Sequence, residues 1–183
     1  MKKTAQNLRH RLLVALLAGM MPNTLPVLAD EAVTIRAVSK EARCPVCGMY
    51  PSLYPQWMAQ VTFKDQETKA FDSPADLFRF LHNVTKYDAK HTAADIKAIY
   101  LTDYAKGGFI EAKRAFLVTG SSARGPMDNA DLPAFNSKGA ADEFAKANGG
   151  KVIAFEKITA EEIAFLGLEQ GGHTEHKHDH HGH

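Results

Sequence analysis

The sequence predicts an α+β protein made of two tandem, similar strand-strand-helix-strand units, followed by a disordered histidine-rich tail. Three observations carry that expectation. Short stretches alternate apolar and polar residues with the period of a strand, as in Met58-Ala59-Gln60-Val61-Thr62-Phe63. Two segments, Phe71-Asp72-Ser73 and Phe135-Asn136-Ser137, set an aromatic strand end directly before a serine helix cap, 64 positions apart. The order of strands, turns and helix around the first is repeated around the second.

The first 29 residues read as an export signal and stand outside the fold. Lys2, Lys3, Arg9 and Arg11 form a basic start, and Leu12 to Met21 an apolar core of ten residues. Val27-Leu28-Ala29 then offers the small residues a signal peptidase reads, so cleavage before Asp30 is expected. Ten apolar residues are too few to span a bilayer. No cysteine follows that core, so a lipid anchor at a new N-terminus is not expected, and the reading is a soluble exported protein.

The first unit, residues 30–106, opens with the lead-in Val33, Ile35 and Val38. A loop with three prolines and a glycine follows from Cys44 to Pro55. The strand Met58–Phe63, a turn at Lys64 to Thr68 and a second strand at Lys69-Ala70-Phe71 come next. Ser73 caps a helix with Pro74 in its first turn, and Leu77, Phe78, Phe80 and Leu81 face a core at helical spacing. Thr85 to Asp95 reads as a polar loop, and Ala98 to Leu101 as a strand. The second unit, residues 107–168, has a strand at Ala115 to Val118 and a loop from Gly120 to Leu132 containing Gly125-Pro126-Met127. A helix through Ala140, Phe144 and Ala147 then stops at Asn148-Gly149-Gly150. A strand at Val152 to Phe155 and a last helical turn at Ile163 to Leu168 complete it, and residues 169–183 form the tail.

Removing 29 of the 183 residues leaves 154, enough for one domain or two small ones. The mature chain has 18 basic and 21 acidic residues, a net charge of −3, and its basic residues form no stripe. That balance gives no pull toward nucleic acid or anionic lipid.

The chemistry centres on Cys44-Pro45-Val46-Cys47-Gly48-Met49, which holds both cysteines of the chain. A disulfide across so short a loop would restrict the unfolded chain little, so the spacing favours metal binding or thiol exchange. Three readings follow. A redox pair needs a lowered thiol pKa at a helix start, and Gly48 and Pro51 interrupt any helix after Cys47. No aromatic precedes Cys44, and the chain before it has no room for the opening of a thioredoxin-like fold. A zinc knuckle needs four ligands. There is no second cysteine pair, so the tail histidines or a second subunit would have to complete it. Monovalent copper accepts two or three soft donors. Cys47 and Met49 offer two from one turn, with Cys44 beside them, and Met127 is the matching third. Of the three methionines beyond the leader, Met58 begins a strand and suits core filling. Met49 and Met127 follow glycine or proline in loops.

Cys-x-x-Cys-Gly-Met after an export signal, the Ser122-Ala123-Arg124-Gly125-Pro126-Met127 loop and the two Phe-[Asp/Asn]-Ser helix starts resemble the NosL family of nitrous-oxide-reductase accessory proteins. The resemblance covers most of Glu41 to Phe155. It implies a periplasmic chaperone that binds one Cu(I) ion and delivers it for the copper centres of nitrous oxide reductase. The implied partners are that enzyme or its maturation machinery, a membrane ABC-type complex. It also implies two similar strand-strand-helix-strand units. The implied ligands fall on Cys47 with Met49, and on Met127. Many members are lipoproteins, and this sequence lacks the lipid-bearing cysteine. The alternative from another class is a periplasmic thiol-disulfide oxidoreductase using Cys44 and Cys47.

The tail holds six of the nine histidines, His173, His176, His178, His180, His181 and His183. Interleaved with Glu, Lys, Asp and Gly, they read as a secondary capture site for divalent copper, nickel or zinc, weakening below about pH 6.5 as imidazoles gain charge. Incidental metal affinity fits the same composition. Trp57, Tyr50 and Tyr54 read as a packing wall beside the turn, or a lid over an ion. His82 and His91 are not assigned as ligands. Asp72 and Asn136 read as turn and cap residues. No catalytic triad, carboxylate pair or phosphate loop can be argued, so the expectation is a protein that is not an enzyme.

Overall fold

Local capping and strand pairing build the scaffold, which in the computed structural model is described for residues 35–168. The leader with its cleavage after Ala29, and the tail histidines His173 to His183, lie outside the described residues. β1 (Ala59–Phe63) and β2 (Thr68–Phe71) form an antiparallel hairpin with Ala59 opposite Phe71. α1 (Pro74–His82) follows at once: the Ser73 hydroxyl accepts the Asp76 N–H at 3.3 Å, and Pro74 sits where its missing N–H costs nothing. α2 (Val84–Tyr87) is a single turn. β3 (Ile96–Thr102) then pairs antiparallel with the free side of β1, and β4 (Phe109–Glu111) pairs with β3. The first sheet therefore runs β2-β1-β3-β4.

The second half uses the same order. β5 (Phe116–Thr119), β6 (Ala134–Phe135), α3 (Lys138–Asn148) and β7 (Lys151–Ala154) make a sheet ordered β6-β5-β7, antiparallel throughout. In each unit the first strand is central and flanked by the second and third. Ser137 caps α3 by accepting the Ala140 N–H, as Ser73 caps α1. α4 (Ala160–Leu168) closes the described chain against α1. Among the described residues no helix is long and apolar enough to cross a membrane.

The main core gathers Phe63, Phe71, Phe80, Leu77, Leu101 and Leu117 with α4's Ile163 and Leu166. Each large side chain fully buried there contributes about 1.5–3 kcal/mol. A smaller cluster joins Val118, Phe135 and Ala141, with Tyr104, Phe116 and Phe144 packed on it. Asp103, at the end of β3, ties the sheets together. It bridges to Ala134, and its carboxylate accepts the Asn136 N–H at 3.3 Å and the Ala105 N–H at 3.0 Å.

Three features depart from the sequence expectations. All five residues of β1 are buried, including Gln60 and Thr62, and the lead-in meets Gln60 through Arg36. The Gln60 amide accepts the Arg36 N–H at 3.2 Å and donates to the Arg36 carbonyl at 3.0 Å, so a side chain performs a strand's pairing. β4 was not expected; it pairs with β3, so the first sheet extends past the boundary drawn at 106/107. The polar loop at 85–95 contains a buried group. His91 is 5% exposed and stacks on the Phe63 ring with centroids 3.8 Å apart.

Both His91 ring nitrogens face carboxylates, Nδ1 at 2.8 Å from Asp88 and Nε2 at 3.2 Å from Asp65. Asp65, Glu67 and His91 lie close enough to share a cation, but Lys90 already neutralises Asp65 and Glu67, and Lys69 also pairs with Glu67. The Asp88 hydrogen bond, aided by Asp65, raises the His91 pKa above its ordinary value. The ion pair therefore contributes fully below about pH 6.5 and is lost as pH rises through the raised folded value. His91→Gln should lower the Tm most near pH 6, with the deficit shrinking toward pH 9. A deficit constant with pH would show that stacking alone matters.

Candidate metal centre

The cysteine turn is closed by its own backbone. The Cys44 N–H donates to the Met49 carbonyl at 2.8 Å, and the Gly48 N–H to the Cys44 carbonyl at 2.9 Å. Gly48 has φ +79°, a left-handed conformation that glycine adopts without strain, which lets the chain reverse directly after Cys47. Arg43 clamps the outside: it donates to the Gly48 carbonyl at 3.0 Å and to the Tyr50 hydroxyl, with its guanidinium 4.2 Å from the Tyr50 ring centre.

Both cysteines are free, Cys44 buried and Cys47 half-buried. Each thiol donates to a carboxylate at the head of α1. Cys47 Sγ is 3.1 Å from Asp72 Oδ1, and Cys44 Sγ is 3.4 Å from Asp76 Oδ2. Asp72 precedes the cap Ser73, and Asp76 lies in the first turn, where the helix dipole favours negative charge. Both aspartates are buried, and Asp76 Oδ1 also binds Arg79 at 2.6 Å. The four ligand atoms of Cys44, Cys47, Asp72 and Asp76 all lie within 4.8 Å of one another, a spacing that can hold a metal ion.

Burial pushes the Cys44 thiol up to about 12, with the aspartates adding to the shift. Burial and the Asp76 and Asp72 carboxylates likewise raise Cys47 well above the ordinary thiol range. At neutral pH both sulfurs are therefore held as thiols, and an incoming cation must displace their protons. A cation is the one partner that relieves both costs, since it neutralises the thiolates and carboxylates together.

Met127 stands on the Gly125–Asp131 loop and is 52% exposed. That loop and Asp72, Asp76 and Arg79 line one small cleft. The structure thus brings Cys44 and Cys47 to the aspartate pair and sets the Met127 loop along a cleft that the same pair lines. Met49 is half-buried and closes the turn through its carbonyl. Asp72 and Asp76 were missed by the sequence reading, which took Asp72 for a turn residue. The available signal was two acids four apart at the head of an apolar helix, one of them in a strand-to-helix turn that faces inward. Trp57 is buried edge-on against Tyr104, centroids 4.8 Å apart, and belongs to the joint between the sheets, while Tyr50 is Arg43's stacking partner.

Fold and site together define an α+β protein carrying a paired-thiol, paired-carboxylate centre. A family model for NosL matches residues 35–163. Among solved structures, the chain is similar to the crystal structure of the copper chaperone NosL from Shewanella denitrificans, at 30% identity and a TM-score of 0.60. That match covers 70% of this chain and 97% of the other. It is also similar to the solution structure of the apo-NosL protein from Achromobacter cycloclastes, at 27% identity, covering 57% and 87% with a TM-score of 0.43. No curated protein matches. The chain belongs to the NosL family.

Proposed function

We propose that this protein is a periplasmic copper chaperone that carries Cu(I) on sulfur and passes it on for assembly of the copper centres of nitrous oxide reductase. The observation that carries the reading is the pair of free cysteines on a preformed turn against Asp72 and Asp76, with the exposed Met127 loop lining a cleft that those aspartates share. Cys47 and Cys44 would supply anionic soft donors once deprotonated, and Met49 and Met127 neutral ones. Thioethers hold copper weakly enough for ligand exchange, which suits a carrier rather than a catalyst. The Shewanella denitrificans relative is itself described as a copper chaperone. Nitrous oxide reductase or its membrane maturation complex is the proposed recipient, and the tail histidines a separate capture site for divalent ions.

The oxidoreductase alternative loses support from the site's electrostatics. A redox pair works through a lowered thiol pKa, whereas burial and two carboxylates raise both thiols here. The test is anaerobic Cu(I) titration of reduced protein lacking residues 169–183, followed by transfer to copper-free nitrous oxide reductase. One tightly bound ion that moves to the enzyme is expected. Absence of a tight site, together with disulfide-reductase turnover, would reverse the assignment.

A further inference from the structure

Asp131 lies 56 positions from the helix it caps. Its Oδ1 accepts the N–H of Ala75, in the first turn of α1, at 2.9 Å, and the N–H of Leu132 at 2.8 Å. It is 4% exposed, with Ala130 and Leu132 buried beside it. Ser73 satisfies the N–H of Asp76, and Asp131 satisfies that of Ala75, so the two acceptors divide the helix's free amides.

The loop that Asp131 ends is tied to itself at its base. The Gly125 N–H donates to the Asn129 carbonyl at 2.8 Å, the Asp128 N–H to the Gly125 carbonyl at 2.9 Å, and Arg124 bridges to Ala130. Met127 is at its tip. Gly125 does not occupy the left-handed region, so conformation does not demand glycine there. Space does: a Cβ on Gly125 would stand 2.5 Å from Asp131 Oδ2 and 3.0 Å from Asp131 Cβ. Asp131 cannot swing away without releasing Ala75. The glycine of Gly125-Pro126-Met127 is thereby explained by the carboxylate behind it.

We propose that Asp131 is a positioning residue for Met127, fastening the Gly125–Asp131 loop to the head of α1 and so setting where the thioether stands relative to Cys44, Cys47, Asp72 and Asp76. Its consequence for copper rests on the reading of Met127 as a ligand, whereas its consequence for the loop does not. Asp131→Ala removes the fastening. Gly125→Ala drives the carboxylate off Ala75 from the other side. Asp131→Asn keeps an oxygen of the same shape in the place where Oδ1 accepts the Ala75 and Leu132 N–H groups.

The experiment has two readouts on the full-length protein. In methionine-methyl-labelled protein without metal, the Met127 methyl resonance should move toward its unstructured position in Asp131→Ala and Gly125→Ala, and stay in place in Asp131→Asn. In competition against a Cu(I) chelator, Asp131→Ala and Gly125→Ala should weaken binding about 10- to 100-fold, the usual effect of losing a ligand's support. Neither should weaken binding further in a Met127→Ala background. A Met127 methyl that stays put while the Tm falls overturns the proposal, as does a copper deficit undiminished without Met127. If Gly125→Ala and Asp131→Ala move the methyl but Met127→Ala binds copper like wild type, the positioning stands and Met127 as a ligand falls.

Discussion

If Cys47 anchors Cu(I) as proposed, Cys47→Ser should abolish tight binding while leaving the fold intact. The hydroxyl is close in shape to the thiol and can still donate to Asp72, which Cys47 Sγ meets at 3.1 Å. The packing and the hydrogen bond therefore survive, and only the soft anionic donor disappears. Losing a supporting neighbour of a ligand costs about 10- to 100-fold in metal affinity, so losing the anchoring ligand should cost more than that. Met127→Ala should cost less, since a neutral thioether gives way to solvent at a position already half-exposed. Deleting His173 to His183 should leave the site untouched, because imidazoles form a separate and harder donor set. Competition against a monovalent-copper chelator ranks the three variants, with the Tm of each recorded alongside. If tail deletion does the damage and Cys47→Ser binds like wild type, the principal metal site is in the tail.

The second large effect is on thiol reactivity and its pH dependence. With Cys44 raised to about 12 from an ordinary 9.0, its thiolate fraction near neutrality falls by about three orders of magnitude. A thiolate of higher pKa is a better nucleophile, with a Brønsted slope of 0.4–0.5, so the net slowing is roughly 30- to 60-fold. Reaction with an aromatic disulfide reagent at pH 8 should be slower than for the urea-unfolded protein by that order. Copper uptake should share this dependence on the thiolate, with apparent affinity rising about tenfold per pH unit for each proton displaced. Stability has its own sign. Below about pH 9 the thiols are mainly protonated in both states, and above it the unfolded chain ionises first, so the folded state loses stability as pH climbs. Once the pair is oxidised to a disulfide, tight binding should vanish, because those sulfurs carry no thiolate charge. Full binding by quantitatively oxidised protein would remove the thiols from the site. Fast thiol reaction in the native protein would instead favour a redox role.

What was legible in the sequence is what is decided over a few residues. The Ser73 and Ser137 caps, the strand ends before them and the glycine stop after α3 are local chemistry, and they stand where they were expected. The paired sheets followed from the repeated order around those caps. β4 was hidden because three residues carry no period of their own; β3 holds them. His91 was hidden for a related reason, since polar residues around it disguised a buried ring on Phe63. At the centre, the turn residues could be read from their types and spacing. The aspartates could not, because Asp72 and Asp76 meet the cysteines across 25 and 32 positions of sequence. A carboxylate before a helix looks like a cap whether or not a thiol lies against it.

The same separation has a kinetic consequence. Everything that keeps the two thiols protonated belongs to the finished fold: the burial of Cys44, and the carboxylates delivered by α1. Before α1 docks, both sulfurs ionise in the ordinary range near 8.5 and lie three positions apart on a free chain, where a small disulfide ring can close. If the chain matures in an oxidising compartment, as proposed, maturation is a race between folding and oxidation. A substitution that slows the docking of α1, leaving both cysteines in place, would lower the yield of free thiols by letting oxidation finish first.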